Sequence, residues 1–428
     1  MREAPATAMP RSTIALFAVA CGIAVANVYF AQPLLVALGH EFDISPAALG
    51  AVVTLTQIGY GLGLFFIVPL GDLLDRRRLI TAQLLLLAVG LLLVATATTA
   101  AVLLAGMAAV GLLAVVTQSL VACAASLAET AHRGRVVGAV TGGVVTGILL
   151  ARTVSGLLSD LGGWRSVYLA SAVLTCAVAL ALRRVIPPRD TPAPTLTYRR
   201  LLTSTIQMFA RERLLRLRAL FALLIFAAFS TLWSSVALAL SDPPMSLSPT
   251  AIGAFGLLGA IGALAATAAG RLNDRGHARR TTGFGLAILT LSWLPLSFTQ
   301  QSLWALAAGV ILLDLAVQAV HVTNQSLIHA LRPDAGSRLI GGYMVFYSIG
   351  SAAGAIAATA LYAVAGWGAV CVLGAGFSGL ALALWAFTKT GATEPKIPPP
   401  DTALPEAGGS GQKALGLRRR SSLPREVA

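Results

Sequence analysis

Four polar residues recur along one apolar stretch of this chain at i, i+4, i+7 and i+11: Asp314, Gln318, His321 and Gln325. That spacing puts all four on one face of a helix. The chemistry open to them is narrow. A carboxylate among apolar residues can take up and release a proton, an imidazole can tune it, and the amides can exchange hydrogen bonds with a polar molecule. A second charge, Arg152, interrupts another apolar stretch, and further polar groups stand at Asn27, Gln32, Gln118 and in the run Ser230, Thr231, Trp233, Ser234, Ser235. Taken singly, His321 fits a satisfied buried histidine, and Arg152 fits a side chain snorkelling toward headgroups. Taken together, the stripe is either the wall of an aqueous cavity or a buried network sealed by Gln118, Asn27 and Gln32. Metal and nucleophile chemistry have no support. The four cysteines all fall in apolar runs, CxxC, HExxH, GxSxG and GxxxxGKS spacings are missing, and so no metal and no cofactor is expected.

The elements that must position these residues follow from composition. Of 428 residues, 57% are hydrophobic and 11% charged, against about 25% charged in a soluble domain. Apolar runs occur near 14–38, 47–70, 79–98, 101–128, 136–158, 165–185, 217–240, 250–270, 281–299, 303–329, 339–362 and 367–388. Lipid offers backbone amides no water, so each run must be a helix, and no period-two alternation supports a barrel. The expected fold is an all-α membrane protein of twelve transmembrane helices. From these boundaries Arg152 falls in the outer third of its span and Asp314 near the midplane, so a direct pair would need one boundary to slip.

The net charge of +14 is a topology signal. Of the 31 Lys and Arg residues, 29 fall in seven alternate inter-span segments and termini, leaving Arg152 and Arg165. The positive-inside rule then puts both termini in the cytoplasm of a multi-pass plasma-membrane protein. Nucleic acid is not an expected partner, since this bias already accounts for the charge. The first apolar run exceeds 20 residues without a small-residue cleavage site, which reads as a span and not a signal peptide.

The chain also repeats. Gly71, Asp75 and Arg76 form a GxxxDR pattern that recurs as Gly270, Asp274 and Arg275, 199 residues later, and Arg135, Gly147 and Trp164 recur as Arg338, Gly350 and Trp367 at an offset of 203. Six spans return the chain to the same face, so this is a parallel repeat. The expected organisation is a six-helix half at 1–186, a cytoplasmic linker at 187–216 with a basic amphipathic stretch from Tyr198, a second six-helix half at 217–388, and a disordered cytoplasmic tail at 389–428. Glycine runs in spans 2, 5, 8 and 11 suggest a close seam between the halves.

The GxxxDR loop at Gly71 to Arg78 and its copy at Gly270 to Arg280 resemble the signature of the major facilitator superfamily, over roughly residues 12–388. The stretch Asn27 to Leu35 in span 1 is similar to bacterial drug-efflux-like facilitators of the acriflavine and sugar-efflux type. The resemblance implies two six-helix bundles rocking around a central pathway lined by spans 1, 4, 7 and 10, with the latch at Gly71, Asp75, Arg76, Gly270, Asp274 and Arg275. It implies a secondary active transporter, a monomer in the lipid bilayer, exchanging protons for a small organic molecule. Asp314 and His321 would serve proton coupling, and Asn27, Gln32, Gln118, Arg152, Gln318, Gln325 and Trp233 would contact substrate. The alternatives are an importer or uniporter of the same fold, and a non-transporting membrane receptor. An enzyme is not expected, because the polar residues form no nucleophile–base pair.

Overall fold

The computed structural model describes residues 9–129, 132–188, 197–331 and 336–388; the tail 389–428 and the linker prolines 192 and 194 lie outside the described residues. All regular structure among the described residues is helical. The first part comprises α1 (Arg11–Ala26), α2 (Leu35–Phe42), α3 (Gly50–Phe66), α4 (Arg76–Ala95), α5 (Ala100–Ala114), α6 (Val116–Leu127), α7 (Arg133–Gly162) and α8 (Trp164–Val185). An amphipathic α9 (Tyr198–Arg211) precedes α10 (Arg213–Ser241), α11 (Pro249–Ala254), α12 (Ala260–Asp274), α13 (Ala278–Leu291), α14 (Trp293–Ser297), α15 (Leu303–Leu331) and α16 (Gly336–Phe387). Eight stretches among the described residues are long and apolar enough to cross a bilayer, and Arg11–Ala26 and Pro249–Gly262 are shorter apolar helices. The 52 residues of α16 would measure about 78 Å at roughly 1.5 Å per residue, more than twice a hydrocarbon core of about 30 Å. Gly366, at φ 71, turns the chain within it.

Several apolar runs that read as single helices are broken. Over 14–38 the helix stops at Ala26, turns through Asn27–Ala31 and a 3-10 turn at Gln32–Leu34, and resumes as α2. Pro33 has no N–H and its ring crowds the preceding turn, while the Asn27 amide donates to the Ile23 carbonyl at 2.9 Å. The run 101–128 breaks at Val115, where the Thr117 hydroxyl donates to the Ala114 carbonyl at 3.0 Å and competes with the helical ladder. The run 250–270 is α11 and α12 joined by a 3-10 turn at Phe255–Gly259.

The pairs α1 and α7, α3 and α5, α4 and α8, α10 and α16, and α12 and α15 pack together. The largest contacts between the first eight helices and those after α9 are α7 crossing α11 and α3 running against α16. Glycine permits the first crossing, since a Cβ on Gly156 would fall 2.3 Å from the Pro249 carbonyl oxygen and one on Gly253 2.3 Å from that of Arg152. The glycine runs do not act as one seam. Gly143 and Gly147 admit α1, Gly59 and Gly63 admit α5, and Gly350 and Gly354 admit α10, whereas Gly50, Gly61, Gly156 and Gly253 face the other group. Small residues say that a backbone comes close, not which one.

Both joining contacts lie at the end away from the arginine-rich segments. There Gly50 N–H donates to Thr359 Oγ1 at 3.0 Å and Thr54 Oγ1 to the Ala352 carbonyl at 2.9 Å. On the other side of the bundle Thr153 Oγ1 donates to the Gly253 carbonyl and Thr250 N–H to Asp160 Oδ2, each at 3.0 Å. At the opposite, basic end the helices part. A Cβ on Gly138, Gly142, Gly270 or Gly341 would meet nothing within 4 Å, and a cleft lined by Leu64, Asp72, Arg76, Gln118 and Gly341 opens between α3, α4, α6 and α16. Helix α9 lies at this end, its Tyr198 hydroxyl donating to the Phe66 carbonyl at 2.8 Å and Phe209 stacking on Phe346 with ring centres 5.4 Å apart.

Candidate functional site

Arg152 and Asp314 lie at one depth, which corrects the sequence estimate. Helix α7 continues past residue 158 to Gly162, so Arg152 is ten residues, about 15 Å, from the closed end; Asp314 is eleven residues, about 17 Å, from Leu303. Arg152 does not snorkel. It is 2% exposed, as is Trp233 of α10, and Asp314 is 6% exposed.

Trp233 joins the two charges. The Arg152 guanidinium carbon sits 3.8 Å from the Trp233 ring centre, and Trp233 Nε1 donates to Asp314 Oδ1 at 3.4 Å. Arg152 and Asp314 do not form a direct ion pair, although their opposite charges interact through space. Arg152 Nε donates to Gln32 Oε1 at 2.6 Å, and Tyr29 and Phe229 flank the guanidinium at 5.2 and 5.5 Å. The broken span 1 is what brings Tyr29 and Gln32 here. Space for the carboxylate comes from Gly259, where a Cβ would fall 2.6 Å from Asp314 Oδ2. A guanidinium has five N–H donors, and among the described residues Arg152 Nη2 is buried with no acceptor. Buried polar groups are ordinarily satisfied. An arrangement that leaves a cation's donor open is suited to receiving an acceptor from outside the protein.

Toward the basic end a second layer follows. Tyr29 and Tyr347 share a 2.6 Å hydrogen bond between their hydroxyls, and the Phe226 ring packs 4.1 Å from that of Tyr347 and 5.1 Å from that of His321. His321 Nδ1 lies 2.9 Å from the Tyr343 hydroxyl. Arg218 reaches Asn324 Oδ1 at 3.3 Å and Thr282 Oγ1 at 3.1 Å. The fold therefore brings Gln32, Arg152, Trp233 and Asp314 together and puts His321 two helical turns away. Gln318 stays half-buried beside Gly262, and Gln325 is half-buried further along α15. Gln118 hydrogen-bonds Tyr60 and lines the basic-end cleft. Asn27 is outside the cluster: it is fully buried and accepts from Ser171 Oγ at 2.7 Å, tying α1 to α8. Sequence reading missed Tyr29, Tyr343, Tyr347 and Arg218. The tyrosines at i and i+4 in span 11 were the available signal, and they resemble ordinary aromatic packing.

The two motif loops differ in structure. Asp75 precedes α4 and its Oδ1 accepts from Arg78 N–H at 2.8 Å, an N-cap. Arg76 donates to the Gly71 carbonyl at 3.4 Å and the Ala122 carbonyl at 3.1 Å, bracing α4 against α6. In the second loop α12 runs through Gly270 to Asp274, and Arg275 is followed by Gly276 at φ 77, whose left-handed geometry ends the helix; the side chain of Asp274 is outside the described residues. Asn is as good an N-cap as Asp, so Asp75→Asn keeps the cap and removes the charge. The expected result is that substrate binding is retained while transport falls several-fold, measured in parallel by equilibrium binding and flux. An unchanged flux would remove the latch role from Asp75. At the closed end Glu41 accepts from Trp164 and Arg165, which hold its carboxyl below the usual carboxylate range, and Arg165 also donates to the Ala97 carbonyl at 2.9 Å.

Comparison with known proteins gives this arrangement its context. The family model described as Major Facilitator Superfamily matches residues 14–268 and 245–423. The "Uncharacterized transporter YgaY" of Escherichia coli O157:H7 is 46% identical over 372 residues, covering 87% of this chain and 94% of that protein. The "Probable transporter SCO4007" of Streptomyces coelicolor is 33% identical over 375 residues, covering 87% of this chain and 86% of that one. Among solved structures, a bacterial homolog of the human lysosomal transporter Spinster, in an inward-facing and unoccupied conformation, superposes with a TM-score of 0.72 at 15% identity, over 90% of this chain and 97% of that one. That likeness shows the fold. With the family model spanning nearly all of the described helices and both relatives aligned over most of their length, the chain belongs to the Major Facilitator Superfamily and is a multi-pass membrane transporter, not an enzyme.

Proposed function

We propose that this transporter is a proton-coupled exporter of a small organic molecule, working as a monomer by alternating access. In this reading it has twelve spans: residues 1–186 and 217–388 form two six-helix halves, the linker 187–216 and the tail 389–428 are cytoplasmic, and the basic end faces the cytoplasm of a bacterial inner membrane. The efflux-like character rests on the resemblance of Asn27 to Leu35 to drug- and sugar-efflux facilitators. The observation that carries the reading is the Arg152–Trp233–Asp314 assembly, with Arg152 from the first group of helices, Trp233 and Asp314 from the second. It lies above the parted basic end and beneath the closed end, where one carboxylate can sense which side is open. An ionised carboxylate in a dry, closed site is costly, so Asp314 holds either a proton or a cationic group when the halves close. That exclusivity is what links two opposed fluxes.

The test is proton movement in proteoliposomes loaded with a pH dye. Adding substrate to one side should drive protons the opposite way. No proton movement would leave a uniporter, and movement in the same direction as substrate would make the protein a symporter. The orientation is tested separately. Alkaline phosphatase fused at Lys389 should be inactive and fused after Asp242 active, because the basic segments bias the first site inward; the reverse pattern would overturn the orientation.

A further inference from the structure

The site has two open valences of opposite kind. Arg152 Nη2 is buried with no acceptor among the described residues, while its Nε donates to Gln32 Oε1. The carboxylate that could neutralise it is held aside, Asp314 Oδ1 accepting from Trp233 Nε1 at 3.4 Å. Asp314 Oδ2 in turn receives no hydrogen bond among the described residues and lies against Gly259, where a Cβ would fall 2.6 Å from it. A buried donor with no acceptor carries a desolvation cost that a partner would remove, and a carboxylate that accepts from one donor has an oxygen left to accept from another. Tyr29, Phe229 and Trp233 pack their rings against the guanidinium.

We infer that the substrate is a zwitterion with an apolar body, an amino acid or a close derivative, whose anionic group docks on Arg152 and whose ammonium docks on Asp314. This rests on the reading of the site as the transport site and names its substrate class. A carboxylate offers the two in-plane acceptors that a guanidinium fork matches. An ammonium supplies the donors that Asp314 Oδ2 lacks and occupies it in place of a proton. A cation alone would leave Nη2 open, and an anion alone would leave the carboxylate open. The aromatic rings favour an apolar substituent over a polar one, since their polar groups, the Trp233 indole N–H and the Tyr29 hydroxyl, are already committed to Asp314 and Tyr347.

Matched probes separate the possibilities. Two series share a body and differ only in charge: phenylalanine, 3-phenylpropanoate and phenethylamine; leucine, 4-methylpentanoate and 3-methylbutylamine. Binding to the purified full chain is measured by calorimetry at pH 7. In at least one series the zwitterion should bind about 10- to 100-fold more tightly than either partner, the difference expected for one hydrogen bond to a buried charge. Arg152→Gln should erase the advantage over the amine, and Asp314→Asn the advantage over the carboxylate. Arg152→Lys keeps the charge without the planar fork, so it should retain a smaller preference and serves where the Gln variant does not fold. If in neither series the zwitterion binds more tightly than both its amine and its carboxylate, the substrate class is overturned. That outcome leaves proton coupling standing if the dye still reports counterflow of protons. Zwitterion preference without proton movement keeps the class and removes the coupling.

Discussion

Asp314→Asn should abolish accumulation driven by a pH difference while sparing exchange at equal concentrations. Asparagine keeps the shape and can still accept from Trp233 Nε1, but it cannot titrate. A pH difference of one unit is worth about 1.4 kcal/mol, which sets about a tenfold concentration ratio for one proton per cargo; in the variant the ratio should fall to one. Exchange at substrate concentrations that saturate even a weakened site needs only that the loaded site reorient, and neutralising Asp314 does not block that. His321→Gln should move the pH dependence without ending accumulation, because His321 bonds Tyr343 and not Asp314. Accumulation persisting in Asp314→Asn would place the proton carrier elsewhere.

The second large effect is steric. A Cβ on Gly156 meets the Pro249 carbonyl oxygen at 2.3 Å and its carbon at 2.7 Å, and both are backbone atoms that cannot swing away. Gly156→Val should therefore hold the closed end apart. Overpacking of this kind costs about 1–3 kcal/mol, enough to shift a two-state equilibrium about 5- to 150-fold. Thr54→Cys, shielded at the same end by Ala352, reports it. An impermeant maleimide should label this cysteine slowly in the parent chain and at least several-fold faster with Gly156→Val, with transport lost. Gly138→Val is the control on the same helix, since nothing lies within 4 Å of a Cβ there. Equal labelling in all three would mean that α7 and α11 do not control closure.

Much of this was legible in the residues. Lipid forces every apolar run into a helix, so the helical fold followed from composition, and the GxxxDR loops carried the family. Asp314 and Arg152 were identifiable because an ionisable group in an apolar run has few reasons to be there. Their common depth was not, because it depends on α7 running four residues past the apolar boundary. Nor was Trp233's role as a bridge, which needs three helices to converge. The glycines show the same limit. Gly143 and Gly156 sit on one helix and look alike in sequence, yet one admits α1 and the other α11.

The closed end is held across the two helix groups by hydroxyls, amides and touching backbones: Gly50 with Thr359, Thr54 with Ala352, Thr153 with Gly253. Among the described residues Asp160 is the one charged participant, and it accepts from a backbone N–H. Bonds between neutral dipoles are scarcely screened by salt, whereas exposed ion pairs lose strength within a Debye length of about 8 Å at physiological ionic strength. Among the described residues, saline stress on that side has no ionic bond across the groups to loosen. The seal is nearly deaf to the salt it faces, and in the proposed cycle what reopens it is the charge state of the site beneath it.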